Sequence, residues 1–321
     1  MFKPADLKKD SRILVLGHRG LVGSALLRRL EVEGYTNVVL APRETVDLRS
    51  QAQTLDFFTQ AAAEFVVLAA AKVGGIVANS TYPYDFIYDN LMIQSNVIEA
   101  CRLTGVKKTL LLGSSCIYPR MAPQPLAESS LLTGPLEPTN EWYAVAKIAG
   151  IKMGQAARRQ FGMSVISAMP TNLYGPNDNF DLQNSHVLPA LIRKFHDAKH
   201  QGQSSVVIWG SGTPKREFLH VDDLAEALLE MLRRYDEEEI LNIGCGEEVS
   251  IAELASLVSE VVGFAGTIEY DRSKPDGTPR KLTDISRLRS LMGWSPKISL
   301  RDGISQVYAW YTEHMLAIET R

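Results

Sequence analysis

Short apolar runs alternate along the chain with longer stretches in which apolar positions recur every three or four residues. Residues 13–16, Ile-Leu-Val-Leu, form a continuous apolar run ending at Gly17, and residues 24–33 carry helical spacing closed by Gly34. Residues 38–40 and 65–69 are the next expected strands. Residues 85–103 carry a long helical pattern that stops at Gly105, and residues 109–112 give a strand running into Gly113-Ser114-Ser115-Cys116. A helix is expected over 142–161 and a strand over 164–168. Strands separated by helices imply right-handed crossovers and a parallel sheet covered on both faces. Ligands of such sheets sit beyond the carboxyl ends of the strands, where the chemically unusual residues of this chain cluster.

Beyond Pro170 the pattern loosens into a polar loop at 176–184, a helix at 186–199, a strand at 206–209 and a loop at 210–216. A helix at 222–235 and a strand at 240–244 are expected to rejoin the sheet. Segments 251–262, 267–270 and 284–292, with the loop 273–280, read as a small α/β cap. The fold class expected is therefore α/β: a doubly wound parallel sheet of Rossmann type with a smaller, interleaved α/β substrate domain. Residues 1–175 and 219–247 are assigned to the first, and 176–218 and 248–321 to the second.

Composition narrows the partners. Thirty-four basic against 37 acidic residues leave a net charge of −3, without the basic excess of a nucleic-acid binder. The longest apolar stretches are too short to span a bilayer, and the lysine-rich residues 1–12 have no apolar region behind them, so neither membrane nor secretory signal is expected. Cys101, Cys116 and Cys245 are scattered without metal-like spacing, which reads as reduced thiols in a cytoplasmic protein with no metal.

Gly17-His18-Arg19-Gly20-Leu21-Val22-Gly23 lies between the first strand and its helix. Such a turn also fits a mere tight connection, but at the first strand of an alternating chain it favours dinucleotide binding, with backbone amides approaching a pyrophosphate at the helix N-terminus. Arg43, twenty residues after Gly23, suits a 2′-phosphate where an acidic residue would suit a ribose hydroxyl, and Arg19 can close on the same group. NADP is thus expected over NAD. Tyr143 and Lys147, four residues apart on a helix, share one face about 6 Å apart, and a nearby ammonium lowers a phenol toward working pH. Ser114, at a strand end, can reach the same carbonyl oxygen. Tyr270 and Lys274 repeat the spacing but run into Pro275. His196 to His200 imitates a zinc motif with aspartate for glutamate and reads as a solvated helical face, and His220 reads as structural.

The glycine loop, Ser114, Tyr143 and Lys147, in that order, resemble the extended short-chain dehydrogenase/reductase family over nearly the whole chain. Further segments resemble family members acting on nucleotide-linked keto-sugars: Ala69-Ala70-Ala71-Lys72-Val73-Gly74-Gly75-Ile76, Ser115-Cys116-Ile117-Tyr118-Pro119, Pro170-Thr171-Asn172-Leu173-Tyr174-Gly175-Pro176, Asn184-Ser185-His186, Trp209-Gly210-Ser211-Gly212 and residues 274–281. The resemblance implies an NADPH-dependent conversion of GDP-4-keto-6-deoxy-D-mannose to GDP-L-fucose, by epimerisation at carbons 3 and 5 and then reduction at carbon 4. It implies that Lys147 holds the nicotinamide ribose. Pro170, Thr171, Asn172 and Leu173 would line the nicotinamide, and Leu112, Gly113, Ser114 and Ser115 would pass beneath the cofactor. Asp47, Leu48 and His186 would also bind cofactor, while Lys194 (where the family often has arginine), Trp209, Arg216 and Asp276 would hold the nucleotide sugar. Cys116 would be the base and His186 the acid of the epimerisation. Taken by themselves, Trp209 reads equally well as core packing, and Cys116 as a small buried thiol. Another nucleotide-sugar epimerase or reductase, or a non-catalytic nucleotide sensor, remains the alternative. The helix at 85–103 is expected to supply core contacts and a homodimer face.

Overall fold

Strand β1 (Ile13–Leu16) is buried along its whole length inside a six-stranded parallel sheet, one strand in from its edge. In this computed structural model the described residues are 6–182, 184–274 and 276–319; five N-terminal residues of the lysine-rich segment, Gln183 of the polar loop, Pro275 and residues 320–321 lie outside them. The sheet order is β10 (Leu241–Ile243), β5 (Val165–Pro170), β4 (Lys108–Leu112), β3 (Phe65–Leu68), β1 and β2 (Val38–Leu40). Val15 stands opposite Val67, and Leu111 opposite Ser167. After β1 the chain steps outward to β2 and then returns to place β3 on the other side, so the glycine turn lies at the topological switch point.

Alternate residues of one strand point to opposite faces, and each face has its own core. Ile13, Val15, Phe65, Val67, Leu110 and Leu112 pack against α1 (Leu21–Val32) and α7 (Val221–Arg234). Leu14, Leu16, Val66, Leu68 and Leu111 pack against α2 (Gln51–Ala61), α4 (Pro83–Thr104) and α5 (Glu141–Phe161). The short α3 (Ile76–Thr81) precedes α4. Helix α5 lies close enough to α4 that a Cβ at Gly150 would come 2.3 Å from Gln94 Oε1; the Gln94 amide instead donates to the Ala146 carbonyl.

A second core joins α6 (Val187–His200), α8 (Ile251–Val262) and α10 (Leu300–Glu319) with β7 (Ser205–Trp209) and β12 (Thr267–Asp271), around Phe195, Val206, Val258 and Ile304. Between the two cores run β6 (Asn172–Tyr174), paired with β9 (Phe218–His220), and a ribbon of β11 (Val249–Ser250), β8 (Lys215–Arg216) and β13 (Arg280–Lys281). Helix α9 (Ser286–Met292) differs from the expected cap. Its Leu288 and Met292, with Ile285 and Trp294, pack into the core of the main sheet beside β10, which takes that apolar face out of water. Helices α2 and α10 fall outside the expected pattern; α2 opens at its Ser50 cap and buries Phe58 and Ala61.

Candidate active site

The glycine turn is shaped by two close approaches. Gly17 has φ of +87°, and a Cβ there would lie 2.6 Å from the Ala70 amide nitrogen; a Cβ at Gly23 would lie 2.2 Å from the Gly17 carbonyl oxygen. Gly20 meets nothing nearer than 3.5 Å. The amides of α1 therefore open at the end of β1 with no acidic residue in the first turn to offset their positive end. Beside them His18 Nδ1 is buried without a hydrogen-bond partner, and burial followed by the Arg19 charge holds His18 below its usual range. A cradle that only backbone can fill, with donors facing it, fits a dinucleotide pyrophosphate.

The two arginines differ. Arg19 Nη1 donates to Glu44 Oε1 at 2.7 Å, whereas Arg43 is exposed beyond β2. Asp47 is held by Arg49, and the Leu48 carbonyl accepts from Asn96 Nδ2 at 3.0 Å.

At the end of β4, the Leu112 carbonyl accepts the Lys147 ammonium at 2.8 Å, and burial pushes that lysine down to about 8. Lys147 Nζ lies 5.7 Å from the Tyr143 ring centroid. Burial, then the negative charge of Cys116, push the Tyr143 phenol above its usual range, and only a hydrogen bond with Ser114 acts the other way. The expected lowering of Tyr143 by Lys147 is thus corrected: the ammonium is committed to Leu112, and desolvation dominates.

Ser114 Oγ accepts the Cys116 amide at 3.2 Å and caps the 3₁₀ turn Ser115–Ile117, which turns the thiol back toward the strand end. Lys281 Nζ, from β13, donates to Cys116 Sγ at 3.1 Å. Burial pushes the thiol up, but Lys281, Ser114 and Arg216 outweigh it and leave Cys116 below its ordinary range. His186, the residue before α6, is exposed. Desolvation, followed by the Lys281 charge, holds its imidazole below the usual value. One lysine therefore acts on both residues of the expected acid–base pair.

Farther out, Lys194 donates to the Val207 carbonyl at 3.1 Å, and Lys194 and Lys274 flank Trp209 with ammoniums 5.4 and 5.5 Å from a ring centroid. Trp209 is 50% exposed, so it is not part of the core. Asp276 is engaged by Ser211, whose amide and hydroxyl donate to its carboxylate at 2.7 and 2.8 Å, and Arg216 Nη2 donates to the Asp276 carbonyl at 3.5 Å. Burial depresses the ammonium of Lys194 and the guanidinium of Arg216.

The structure thus brings Ser114, Cys116, Tyr143, Lys147 and Arg216 around one strand end, with His186 linked to them through the charge of Lys281. Arg43, Asp47 and Leu48 stand apart beyond β2, while Pro170 ends β5, Thr171 links it to β6, and Asn172 and Leu173 open β6. Lys281 was not singled out in the sequence. It lies inside the matched segment 274–281, but only the pairing of two two-residue strands, with Lys281 opposite Arg216, delivers it to Cys116. His196 packs against Tyr308 and Tyr311, and among the described residues no group of three or more His, Cys, Asp or Glu is arranged to hold a metal.

Residues 13–244 match the NAD dependent epimerase/dehydratase family. The chain is 62% identical to GDP-L-fucose synthase 1 of Arabidopsis thaliana, over 96% of this chain and 95% of that one. It is 52% identical to the GDP-L-fucose synthase of Escherichia coli (strain K12), over 94% and 97%. The crystal structure of a GDP-L-fucose synthetase from Naegleria fowleri bound to NADP superposes with a TM-score of 0.90 at 30% identity, covering 98% of this chain and 97% of that one.

Proposed function

Because this chain belongs to the NAD dependent epimerase/dehydratase family, we propose that it converts GDP-4-keto-6-deoxy-D-mannose to GDP-L-fucose, as an NADPH-dependent 3,5-epimerase and 4-reductase. One observation carries the reading. A reductase set (Ser114, Tyr143, Lys147) and a second acid–base pair (Cys116, His186) are joined through Ser114 and Lys281.

Bound NADPH supplies the hydride for carbon 4. The backbone cradle of Gly17, Gly20 and Gly23 holds its pyrophosphate, Arg19 and Arg43 its 2′-phosphate, and Lys147 its nicotinamide ribose. Asp47, Leu48, Leu112, Gly113, Ser115 and residues 170–173 complete the wall. Lys194 and Arg216 hold the sugar-nucleotide diphosphate, with Trp209 as a flat apolar face.

The carbon-4 ketone acidifies carbons 3 and 5. Cys116, whose thiolate form the Lys281 ammonium favours, removes a proton from one face while His186 returns one to the other. The electron pair left at carbon is drawn onto the carbon-4 oxygen, where the Ser114 and Tyr143 hydroxyls can donate. A phenol above its usual range stays protonated through this stage, which suits a group whose proton is given up only as the carbon-4 alkoxide forms.

The three cysteines are free thiols, which supports a reducing compartment such as the cytoplasm. A homodimer is supported by exposed aromatic surface on α4 and α5. Tyr84 and Tyr88 stack there with ring centroids 5.5 Å apart, and Trp142 is exposed nearby in sequence to Tyr143. Light scattering on the purified chain reads that state; a monomer mass at micromolar concentration rejects it.

The function is tested by incubating the protein with NADPH and the keto-sugar, following absorbance of the reduced nicotinamide and analysing the product. GDP-L-fucose is expected. Reduction without inversion, or turnover only with a different keto-sugar, assigns another nucleotide-sugar reductase.

A further inference from the structure

Glu217, the residue after Arg216, carries a carboxylate with none of its surface exposed. Burying a carboxylate is unfavourable unless its oxygens are hydrogen-bonded. Glu217 Oε1 accepts the Gly246 amide at 2.7 Å, and Oε2 accepts the Thr283 amide at 2.9 Å and the Thr283 hydroxyl at 2.6 Å. Three donors converge on it, a set that suits an acceptor-only carboxylate. The fit is close, since a Cβ at Gly244 would come 2.2 Å from Oε1. Its own carbonyl accepts Asn172 Nδ2 at 2.7 Å, tying it to the segment that lines the cofactor.

The strap that Glu217 holds has Lys281 at its head. β13 pairs with β8, Leu282 donates its amide to Gln124 Oε1 at 2.9 Å, and Asp284 donates to the Leu126 carbonyl at 2.9 Å. The strap is thus gripped by the loop at 124–126 on one side and by β8 and Glu217 on the other. A lysine ammonium rides on a flexible four-carbon stem and stays on one sulfur only if its backbone is fixed. Besides Lys281 from β13, the charged and titratable groups acting on Cys116 are Arg216 from β8 and Tyr143 from α5, with Ser114 bonded to it from its own turn.

We propose that Glu217 is a positioning residue: through Thr283 it fixes the strap so that Lys281 stands against the Cys116 sulfur. Its importance to turnover rests on the reading of Cys116 as the epimerisation base, but the contact itself does not. The carboxylate touches no reacting atom; it makes one buried anchor common to the diphosphate arginine, the cofactor wall and the lysine that stands against the sulfur.

The test reads Cys116 without turnover. The full chain with NADP and no sugar is alkylated with iodoacetamide across pH, and modification at Cys116 is followed by mass spectrometry. Cys101 and Cys245, pushed by burial up to about 12, label slowly. Lys281→Met is expected to slow labelling near neutral pH about tenfold or more, the size of effect that removing an adjacent charge produces. Glu217→Gln places a donor against one of the three donors, so labelling should slow several-fold with its midpoint moved to higher pH. Thr283→Val keeps the amide bond and loses the hydroxyl bond, and should move the profile the same way by less. In the Lys281→Met background neither substitution should add to the effect. Wild-type profiles for Glu217→Gln and Thr283→Val, or equal slowing with Lys281 already removed, overturn the proposal. If Glu217→Gln does not fold, the Thr283→Val pair, with and without Lys281, decides by the same criteria. Shifted labelling with unchanged isotope exchange at carbons 3 and 5 upholds the positioning role and removes Cys116 as the base.

Discussion

The Lys281 ammonium stands 3.1 Å from the Cys116 sulfur although 165 residues separate the two in the chain. A free thiol titrates near 8.5 and is mostly protonated at neutral pH, so a cysteine base needs a neighbour that favours its charged form. The same lysine lies close enough to His186 to disfavour its imidazolium. A single positive charge therefore lowers both members of the pair.

From this follows a pH signature. With Cys116 as the proposed base and His186 as the proposed acid, proton exchange at carbons 3 and 5 would need thiolate and imidazolium together, so its rate should fall in acid as the thiolate is lost and in base as the imidazolium is lost. Lys281→Met raises both groups, and both limbs of the exchange profile should move to higher pH. Deuterium wash-in from heavy water measures this; limbs that stay in place would put the lysine outside the acid–base chemistry.

Removing the acid, the base and the reductase donor should separate the two half-reactions. Cys116→Ser and His186→Gln are each expected to slow wash-in by about 10²–10⁴, the usual contribution of a positioned acid or base. Tyr143→Phe should stop NADPH oxidation while exchange continues. Wash-in at the wild-type rate in Cys116→Ser would move the base to another residue.

Arg43 is exposed, while Arg19 is already paired with Glu44. Arg43→Glu should weaken NADPH binding about tenfold or more, from the loss of charged hydrogen bonds worth about 1.5–3 kcal/mol each, and should hardly change NADH binding. Fluorescence titration with both cofactors checks this. Equal losses for the two would take Arg43 away from the 2′-phosphate.

The glycines of the turn should not be equivalent. Gly23→Ala forces a methyl to 2.2 Å from the Gly17 carbonyl, where only backbone can yield, and should cost about 1–3 kcal/mol together with cofactor binding. Gly20→Ala, with 3.5 Å of space, should stay within about 1 kcal/mol of wild type. Melting temperatures with and without NADPH distinguish them.

Lys108 is fully buried on β4, donates to the Leu232 carbonyl at 3.0 Å, and is pushed by burial down to about 8, partly opposed by Asp236. Unfolded, it titrates near 10.4. Between those values the unfolded chain binds more protons, so stability rises with pH. Relative to Lys108→Met, the wild type should gain on the order of 1–3 kcal/mol from about pH 8 to about pH 10. Denaturant midpoints measure the difference, and a flat one would mean that the folded lysine keeps its charge.

The sequence by itself determined what depends on near neighbours. Ile13–Leu16, Phe65–Leu68 and Leu110–Leu112 are apolar on both faces and become interior parallel strands, and Gly17, Gly23, Ser114 and Tyr143 stand at strand and helix ends because turn and cap chemistry is local. The tertiary structure alone decided the electrostatics. The expectation that Lys147 would lower Tyr143 failed because Lys147 bonds to Leu112 and burial acts on the phenol, neither of which helical spacing reveals. The place of α9 on the main sheet, the pairing of Arg19 with Glu44, and the delivery of Lys281 to Cys116 by two two-residue strands likewise have no sequence period to announce them. Periodicity reports which face of an element is apolar, whereas a pKa depends on which distant charges folding brings within a few ångströms and how much water it removes from between them.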